Sequence, residues 1–112
     1  MPNLDNKRAL IRRYKQGLRL RYWLKYQGRC LWCQAPVLVA DFNYDHLIPG
    51  MRAVNCDTSH IVAVACRACN ELRSHTPVAL WLRWLGRLHG RLTLTEIRAR
   101  LSVRHNPLPS LE

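Results

Sequence analysis

Apolar and aromatic side chains recur about every four residues through the first part of the chain, and Arg and Lys fill the positions between them. The recurring positions are Leu10, Tyr14, Leu18, Tyr22 and Tyr26. This period is typical of an amphipathic α-helix, and we expect the stripe to pack into a core. Gly17 lies within the stripe, so the pattern allows one long helix or two shorter ones. Gly28 is a suitable residue to end the helix.

Two stretches in the middle of the chain are rich in β-branched and aromatic residues. Residues 36–44 read PVLVADFNY and predict a strand that leads to Asp45 and His46. Residues 61–64 read IVAV and predict a second short strand, and the residues between the two have the composition of a loop. We expect the strands to form a ribbon and a short helix to begin around Cys69-Asn70.

The last third of the chain has two helix-start signals. Thr76 and Pro77 suit the N-cap and the first position of a helix that ends near Gly90. Residues 93–96 read TLTE, a capping box that predicts a final helix reaching about Arg104. The apolar face expected for the first of these helices consists of Val78, Trp81, Leu82, Leu85 and Leu88.

The composition shows that this chain of predicted helices and short strands is strongly basic. The chain has 112 residues, 48% of them hydrophobic, with a formal net charge of +11 and a pI near 10.4. The length suits one domain. The charge points to a polyanionic partner, of which nucleic acid is the commonest and an anionic membrane surface the alternative. The start of the chain lacks the apolar stretch of a signal peptide, and no apolar run approaches the roughly 20 residues that span a bilayer. We therefore expect an intracellular protein without a membrane partner.

The positive charge is concentrated toward the two ends of the chain. Residues 1–29 have a net charge of +8, residues 30–66 of −2 and residues 67–112 of +5. Arg accounts for 15 of the 18 basic residues, and its planar guanidinium binds phosphate bidentately. The distribution predicts that two basic arms contact a nucleic-acid backbone on either side of an acidic middle segment.

Four of the five cysteines form two CxxC pairs, Cys30 with Cys33 and Cys66 with Cys69. Each pair suits one edge of a tetrahedral metal site, and two pairs complete a Cys₄ zinc site. A disulfide framework is the alternative, but the odd cysteine count and the expected intracellular setting weigh against it. A redox CxxC would not require a second copy. The zinc is expected to be structural because four thiolates leave no position for water, and Cys56 is expected to be a bystander.

A second group of chemically suited residues lies beside these pairs. Asp45 and His46 lie between the two CxxC pairs, and Asn70 directly follows the second. A metal that joins the pairs would bring these residues together. Carboxylate and amide oxygens suit one Mg²⁺ that keeps positions open for water and phosphate, and a neutral His can take a proton from an attacking water. The group predicts metal-assisted phosphodiester hydrolysis.

The run GRCLWC … YDHLIPG … HIVAVACRACNELRSH resembles the HNH nuclease family, of the ββα-metal type with a Cys₄ zinc. The matching stretch covers residues 22–76, about half of the chain. The resemblance implies an α+β fold in which a ββα-metal core with the zinc site is flanked by N-terminal and C-terminal helices.

The resemblance also implies roles for individual residues. His46 matches the general base, and Asp45 and Asn70 match the ligands of a catalytic Mg²⁺ or Mn²⁺ ion. The middle motif position is usually Asn, and here His60 is the nearest candidate, with Asn55 the alternative if the loop is shifted. The structural zinc ligands would be Cys30, Cys33, Cys66 and Cys69.

Two arginines near the second CxxC pair are candidate nucleic-acid contacts. Arg73 falls where many members of the family have a basic residue near the scissile phosphate, and Arg67 lies between Cys66 and Cys69. We expect a single domain with a basic helical arm at residues 1–29, the zinc-bound core at 30–76 and C-terminal helices at 77–105.

The function that follows from these expectations is a small DNA endonuclease of the phage or mobile-element type. One active site would nick one strand, and a double-strand break would need a homodimer or a nuclease or packaging partner. Trp81, Trp84 and Leu88 suit a dimer face as well as a core. A weakly active or inactive zinc-containing DNA-binding or packaging accessory protein is the first alternative, and an RNA-directed nuclease is the second.

Overall fold

The computed structural model describes residues 4–47, 61–88 and 94–111. The first element is one continuous 22-residue helix, α1 (Leu4–Lys25), which runs through Gly17 without interruption. It ends in a turn in which Gly28 has a φ of 67°. Of its predicted stripe, Tyr22 and Tyr26 are buried and Leu18 packs partly against the core, whereas Leu10 and Tyr14 are exposed. The C-terminal half of α1 therefore contributes to the core and the N-terminal half does not.

Two short strands follow the first CxxC pair. Strand β1 (Asn43–His46) pairs antiparallel with β2 (Val62–Ala65), and the register places Asn43 opposite Ala65 and His46 opposite Val62. All four residues of β2 are buried. The sheet therefore forms the centre of the fold, and β1 ends at the Asp-His pair singled out in the sequence.

The prediction of a strand over residues 36–44 was wrong for most of its length. Only the last two of these residues belong to β1, and Pro36 forms an isolated bridge with Arg29. The backbone oxygens of this segment are bound by side chains of α1: Trp23 Nε1 donates to Val37 O, and Arg19 donates to Val39 O and Phe42 O. A segment of β-rich composition forms a strand only where a neighbouring strand is available for pairing. Here the segment lies against α1, whose side chains bind its backbone oxygens instead.

The helices after the sheet lie close to their predicted positions. Helix α2 (Arg67–Arg73) includes the expected start at Cys69-Asn70, α3 (Val78–Leu88) begins one residue after Pro77, and α4 (Leu94–Ser102) continues into a 3-10 turn at Val103–His105. Gly90 and Thr93, which were predicted to end α3 and to cap α4, lie outside the described residues. An α+β fold of helices around a two-stranded sheet is thus confirmed.

One hydrophobic core joins these elements. It consists of Tyr22, Tyr26, Cys30, Leu31, Trp32, Phe42, Leu47, Ile61, residues 62–65, Cys69, Trp81 and Leu85. Trp81 of α3 is fully buried and packs edge-on against Trp32 at 6.1 Å between ring centroids, whereas Trp84 is 46% exposed. Trp81 therefore belongs to the core and not to a dimer face. Across the described residues, no helix has both the length and the apolar character that crossing a membrane requires.

Candidate metal centre and nuclease site

The two CxxC turns are brought together by the sheet and by α2. Leu31 N–H, in the first turn, donates to Val64 O of β2 at 2.9 Å, and the second turn directly follows β2 and opens α2. The predicted convergence of the two pairs is confirmed, because the four sulfur atoms of Cys30, Cys33, Cys66 and Cys69 all lie within 4.8 Å of one another.

Backbone N–H groups point at the sulfurs of this cluster. Ala35 N–H donates to Cys33 Sγ and Cys69 N–H to Cys66 Sγ, each at 3.4 Å, and the Cys33 and Cys66 sulfurs are 3.8 Å apart. Donors that face sulfur stabilise thiolate rather than thiol. The four cysteines therefore offer four soft ligands that could hold a metal ion.

The thiols of the cluster differ in acidity. A hydrogen bond from Cys69 lowers the pKa of Cys30 to about 5, and donating that bond raises the pKa of Cys69. Burial raises the pKa of Cys33 to about 11. A bound cation would favour ionisation of the ligating thiols, because ligation requires deprotonated sulfur.

A buried ion pair lies beside the cysteine cluster, at the end of β1. The guanidinium of Arg73, on α2, binds Asp45 Oδ1, and Trp32 Nε1 donates to Asp45 Oδ2 at 2.6 Å. Asp45 and Arg73 are 3% and 1% exposed. Burial raises the pKa of the Asp45 carboxyl, whereas the bonds from Trp32 and Arg73 act in the opposite direction. The carboxylate predicted to bind a metal is thus already held by two donors.

Arg73 also binds the backbone on the far side of Asp45. Its Nη1 donates to His46 O at 2.9 Å and its Nη2 to Leu47 O at 3.0 Å, so one side chain joins three consecutive residues. Its guanidinium carbon lies 5.6 Å from the Trp32 ring centroid. The side chain is buried and both of its Nη atoms donate to protein oxygens, so this arrangement does not favour the phosphate contact predicted for Arg73.

The other predicted site residues lie around this pair. His46 is half-buried at the end of β1, opposite Val62. Asn70 is half-buried on α2, three residues before Arg73 and hence on the same side of the helix. Arg67 is 82% exposed and pairs with Glu71 at 2.9 Å, so it can reach a ligand in solvent. His60, Asn55 and Cys56 lie outside the described residues.

Sequence reasoning missed Trp32 as a partner of the Asp45 carboxylate. Trp32 lies inside the first CxxC turn, thirteen residues from Asp45, and no linear pattern connects the two. The sequence indicated only that Trp32, if buried, would need some acceptor for its indole N–H, and did not indicate which one. It also missed Arg100, whose Nη1 donates to Trp32 O at 2.5 Å and joins α4 to the first CxxC turn.

Proteins similar to this chain include two Cas9 enzymes. CRISPR-associated endonuclease Cas9 of Corynebacterium diphtheriae is 26% identical over 55 residues, which are 49% of this chain and 5% of that protein. The crystal structure of the Type II-C Cas9 enzyme from Actinomyces naeslundii matches with a TM-score of 0.51 and 20% identity, over 89% of this chain and 14% of the other. No family model matches the chain.

Both matched proteins are Cas9 enzymes. The structural match, at this identity, is a likeness of fold, and the sequence match is short and distant. The chain spans only a small part of either Cas9 protein, so the activity of those whole enzymes does not transfer to it.

Proposed function

We propose that this protein is a zinc-stabilised HNH endonuclease that hydrolyses DNA phosphodiester bonds with one divalent cation. The observation that carries the proposal is the cluster of the two CxxC pairs within 4.8 Å, because it ties the turn before β1 to the start of α2, whose Arg73 binds Asp45 at the end of β1. Asp45 and His46 at the end of β1 and Asn70 on α2 are the proposed residues of the active site. The distant similarity to Cas9 supports the same class of activity.

Zinc is the proposed occupant of the cysteine cluster. Four sulfur ligands in two CxxC turns suit Zn²⁺, and they leave no open position at which water could be activated. The ion would therefore contribute to folding and not to the reaction. Cys30, Cys33, Cys66 and Cys69 would each supply one thiolate.

His46 is the proposed general base. A neutral imidazole accepts a proton from a water that attacks phosphorus, and its position at the end of a paired strand fixes its backbone. The oxygens of Asp45 and Asn70 are the hard ligands that Mg²⁺ or Mn²⁺ prefers, and the cation, when bound, would offset negative charge on the phosphate.

The ion pair between Asp45 and Arg73 places a condition on this reaction. A carboxylate neutralised by a guanidinium attracts a divalent cation less strongly, and Asp45 is also only 3% exposed. Metal binding at Asp45 would require the Arg73 guanidinium to release Oδ1 while keeping its bonds to the His46 and Leu47 carbonyl oxygens.

The same ion pair favours a second candidate function. If the Asp45–Arg73 bond never opens, the protein would be a zinc-containing DNA-binding accessory protein without nuclease activity. Its basic surface would still bind DNA, since binding depends on the exposed Lys and Arg residues and not on Asp45.

Nicking of supercoiled plasmid separates these two functions. We expect the zinc-loaded protein to convert supercoiled DNA to the open-circular form with Mg²⁺ or Mn²⁺, and His46→Ala to lose at least about a hundredfold in rate, the usual contribution of a general base. His75→Ala, a change at an exposed histidine after α2, is the matched control and should retain activity.

The result of the nicking assay distinguishes the candidate functions. DNA binding without cleavage under either metal would favour the accessory function, and preferential cleavage of structured RNA would favour an RNA-directed nuclease. Equal activity of His46→Ala and wild type would remove His46 from the reaction.

A further inference from the structure

A cavity of about 160 Å³ lies between the C-terminal end of α1, the first CxxC turn and the 3-10 turn after α4. Two of its polar lining residues are cationic and three have carboxamide groups, and none of the described lining residues is acidic. One water takes roughly 30 Å³ in the liquid, so the cavity has room for a group of about five heavy atoms. The polar lining residues are Lys25, Gln27, Gln34, Arg100 and Asn106.

The fold holds both cations in place. Lys25 Nζ donates to the Arg104 carbonyl oxygen at 2.9 Å, and Arg100 Nη1 donates to the Trp32 carbonyl oxygen at 2.5 Å. The Lys25 side chain is buried, and burial lowers the pKa of its amine to about 8. The amine therefore stays mostly protonated at pH 7, and a nearby anion would offset the cost of a buried positive charge.

The chemistry of the lining selects an oxyanion. Lys and Arg side chains are hydrogen-bond donors only, and Gln27 and Asn106 add NH₂ groups. The NH₂ group of the third carboxamide, Gln34, donates to the carbonyl oxygens of Cys30 and Leu31. Hydrogen bonds from charged donors to phosphate oxygens are among the stronger ones in proteins. We propose that this cavity binds a phosphate group, supplied either by a nucleic-acid backbone or by free inorganic phosphate.

The two possible sources of the phosphate differ in whether they depend on the proposed function. The nucleic-acid source rests on the proposed function, because it requires the chain to bind a polynucleotide. The free-phosphate source does not depend on that function. In both cases the site lies beside the first CxxC turn, since Leu31 and Gln34 line the cavity and Arg100 binds Trp32 within that turn.

Titration with inorganic phosphate tests the site directly. In two-dimensional ¹⁵N–¹H spectra of the zinc-loaded protein, the side-chain amide signals of Gln27, Gln34 and Asn106 should shift and saturate. Arg100→Gln and Lys25→Met should each weaken this binding at least tenfold. No saturating shift in the wild type up to about 50 mM phosphate, a concentration where even a millimolar site is filled, would overturn the proposal.

A matched control is available on the same helix. Arg98 is exposed and lies two residues before Arg100, so the two side chains do not share a face of α4. Arg98→Gln removes the same charge and should leave the phosphate affinity within about twofold. Equal weakening by Arg98→Gln and Arg100→Gln would overturn the site in favour of a general surface-charge effect.

Because Arg100 also binds the first CxxC turn, a control is needed that separates loss of the cation from unfolding of the protein. Arg100→Lys keeps a cation, and we expect it to bind phosphate more tightly than Arg100→Gln at equal zinc content and equal helical circular dichroism. If the Lys and Gln variants bind equally weakly while folded, the cation in the cavity has no role and the proposal fails.

A short DNA duplex then separates the two sources. If DNA shifts the same three amide signals and phosphate competes with it, the cavity holds a backbone phosphate. If DNA binds but leaves those signals unchanged, the cavity is a free-phosphate site. If phosphate binds and DNA does not bind anywhere, the phosphate site is supported and the proposed DNA function fails. If DNA binds and phosphate does not, the phosphate site fails and the proposed DNA function is supported.

Discussion

Arg73 connects the candidate nuclease residues to the helix that follows the sheet. Its guanidinium binds the Asp45 carboxylate and the carbonyl oxygens of His46 and Leu47. A buried ion pair gives little net stability by itself, but removing one partner is costly because the other charge remains without compensation. The position of Asp45 and His46 therefore depends on a residue more than 25 positions away in the chain.

We expect Arg73→Gln to lower the free energy of unfolding by about 3–5 kcal/mol, the usual effect of breaking a buried pair. Arg73→Lys keeps the charge but lacks the planar fork, so its loss should be smaller. Urea denaturation of the zinc-loaded variants measures both. Arg67→Gln, which removes an exposed ion pair with Glu71, is the control and should change stability little. Equal losses for Arg73→Gln and Arg67→Gln would contradict the structural role of Arg73.

At the scale of single elements, two glycines of the first 30 residues have opposite roles. Gly17 lies inside α1, and a Cβ there would meet Leu111 Cδ1 at 3.6 Å, an ordinary contact distance. Gly28 has a φ of 67°, and a Cβ there would approach Trp23 Cζ2 to 2.7 Å. The first glycine weakens a helix and the second is required by the turn that ends it.

Substitution of these glycines by Ala should therefore have opposite effects. Gly17→Ala should raise the free energy of unfolding by about 0.5–1 kcal/mol, because Gly is a poor residue for a helix interior. Gly28→Ala should lower it by at least about 1 kcal/mol, because Ala is strained at positive φ and its Cβ meets Trp23. Thermal unfolding followed by circular dichroism at 222 nm measures both, and destabilisation by Gly17→Ala would argue against a continuous α1.

The two CxxC turns are the elements that a metal would join. We expect about one zinc ion per chain by elemental analysis, and we expect Cys66→Ser to lose the metal and the folded structure together, because binding energy at such a site is folding energy. Cys56→Ser, at the cysteine outside the two pairs, is the matched control and should retain the metal. A well-folded, metal-free Cys66→Ser variant would contradict a structural role for zinc.

On the scale of the whole molecule, the charge is distributed between a buried part and an exposed part. The N-terminal half of α1 projects basic side chains into solvent, and Leu10 and Tyr14 are exposed beside them. Arg73 and Lys25, in contrast, are buried inside the fold. The net charge of +11 therefore overstates the number of cations available to a polyanion.

DNA binding by the exposed cations should depend steeply on salt, since each neutralised phosphate releases counterions. We expect the double variant Arg12→Gln/Arg13→Gln, on the exposed half of α1, to reduce the slope of log association constant against log salt by about 2. Fluorescence anisotropy with a labelled duplex at 50–200 mM NaCl measures the slope. Gln16→Ala, an uncharged exposed change on the same helix, is the control, and an unchanged slope in the double variant would exclude this part of α1 from the DNA contact.

Local patterns in the sequence determined the approximate positions of the helices, the two CxxC turns and, to within one residue, the second strand. Helix periodicity, N-cap residues and CxxC spacing act between near neighbours, so they can be recognised without a fold. The sequence left open whether α1 continues through Gly17, and it does. The absence of a strand over most of residues 36–44 was decided by tertiary structure. In this segment, Trp23 and Arg19 of α1 bind backbone oxygens that a strand would have used.

The candidate site shows the same division between sequence and structure. The sequence alone determined which residues have metal-ligating or proton-accepting chemistry, because those properties belong to the side chains and their spacing. Only the tertiary structure decided their partners: Asp45 is bound by Trp32 and Arg73, and Arg73 is buried rather than available to phosphate. Burial and pairing depend on segments far apart in the chain that meet only in the folded protein, and no periodicity in the apolar and polar pattern encodes those meetings.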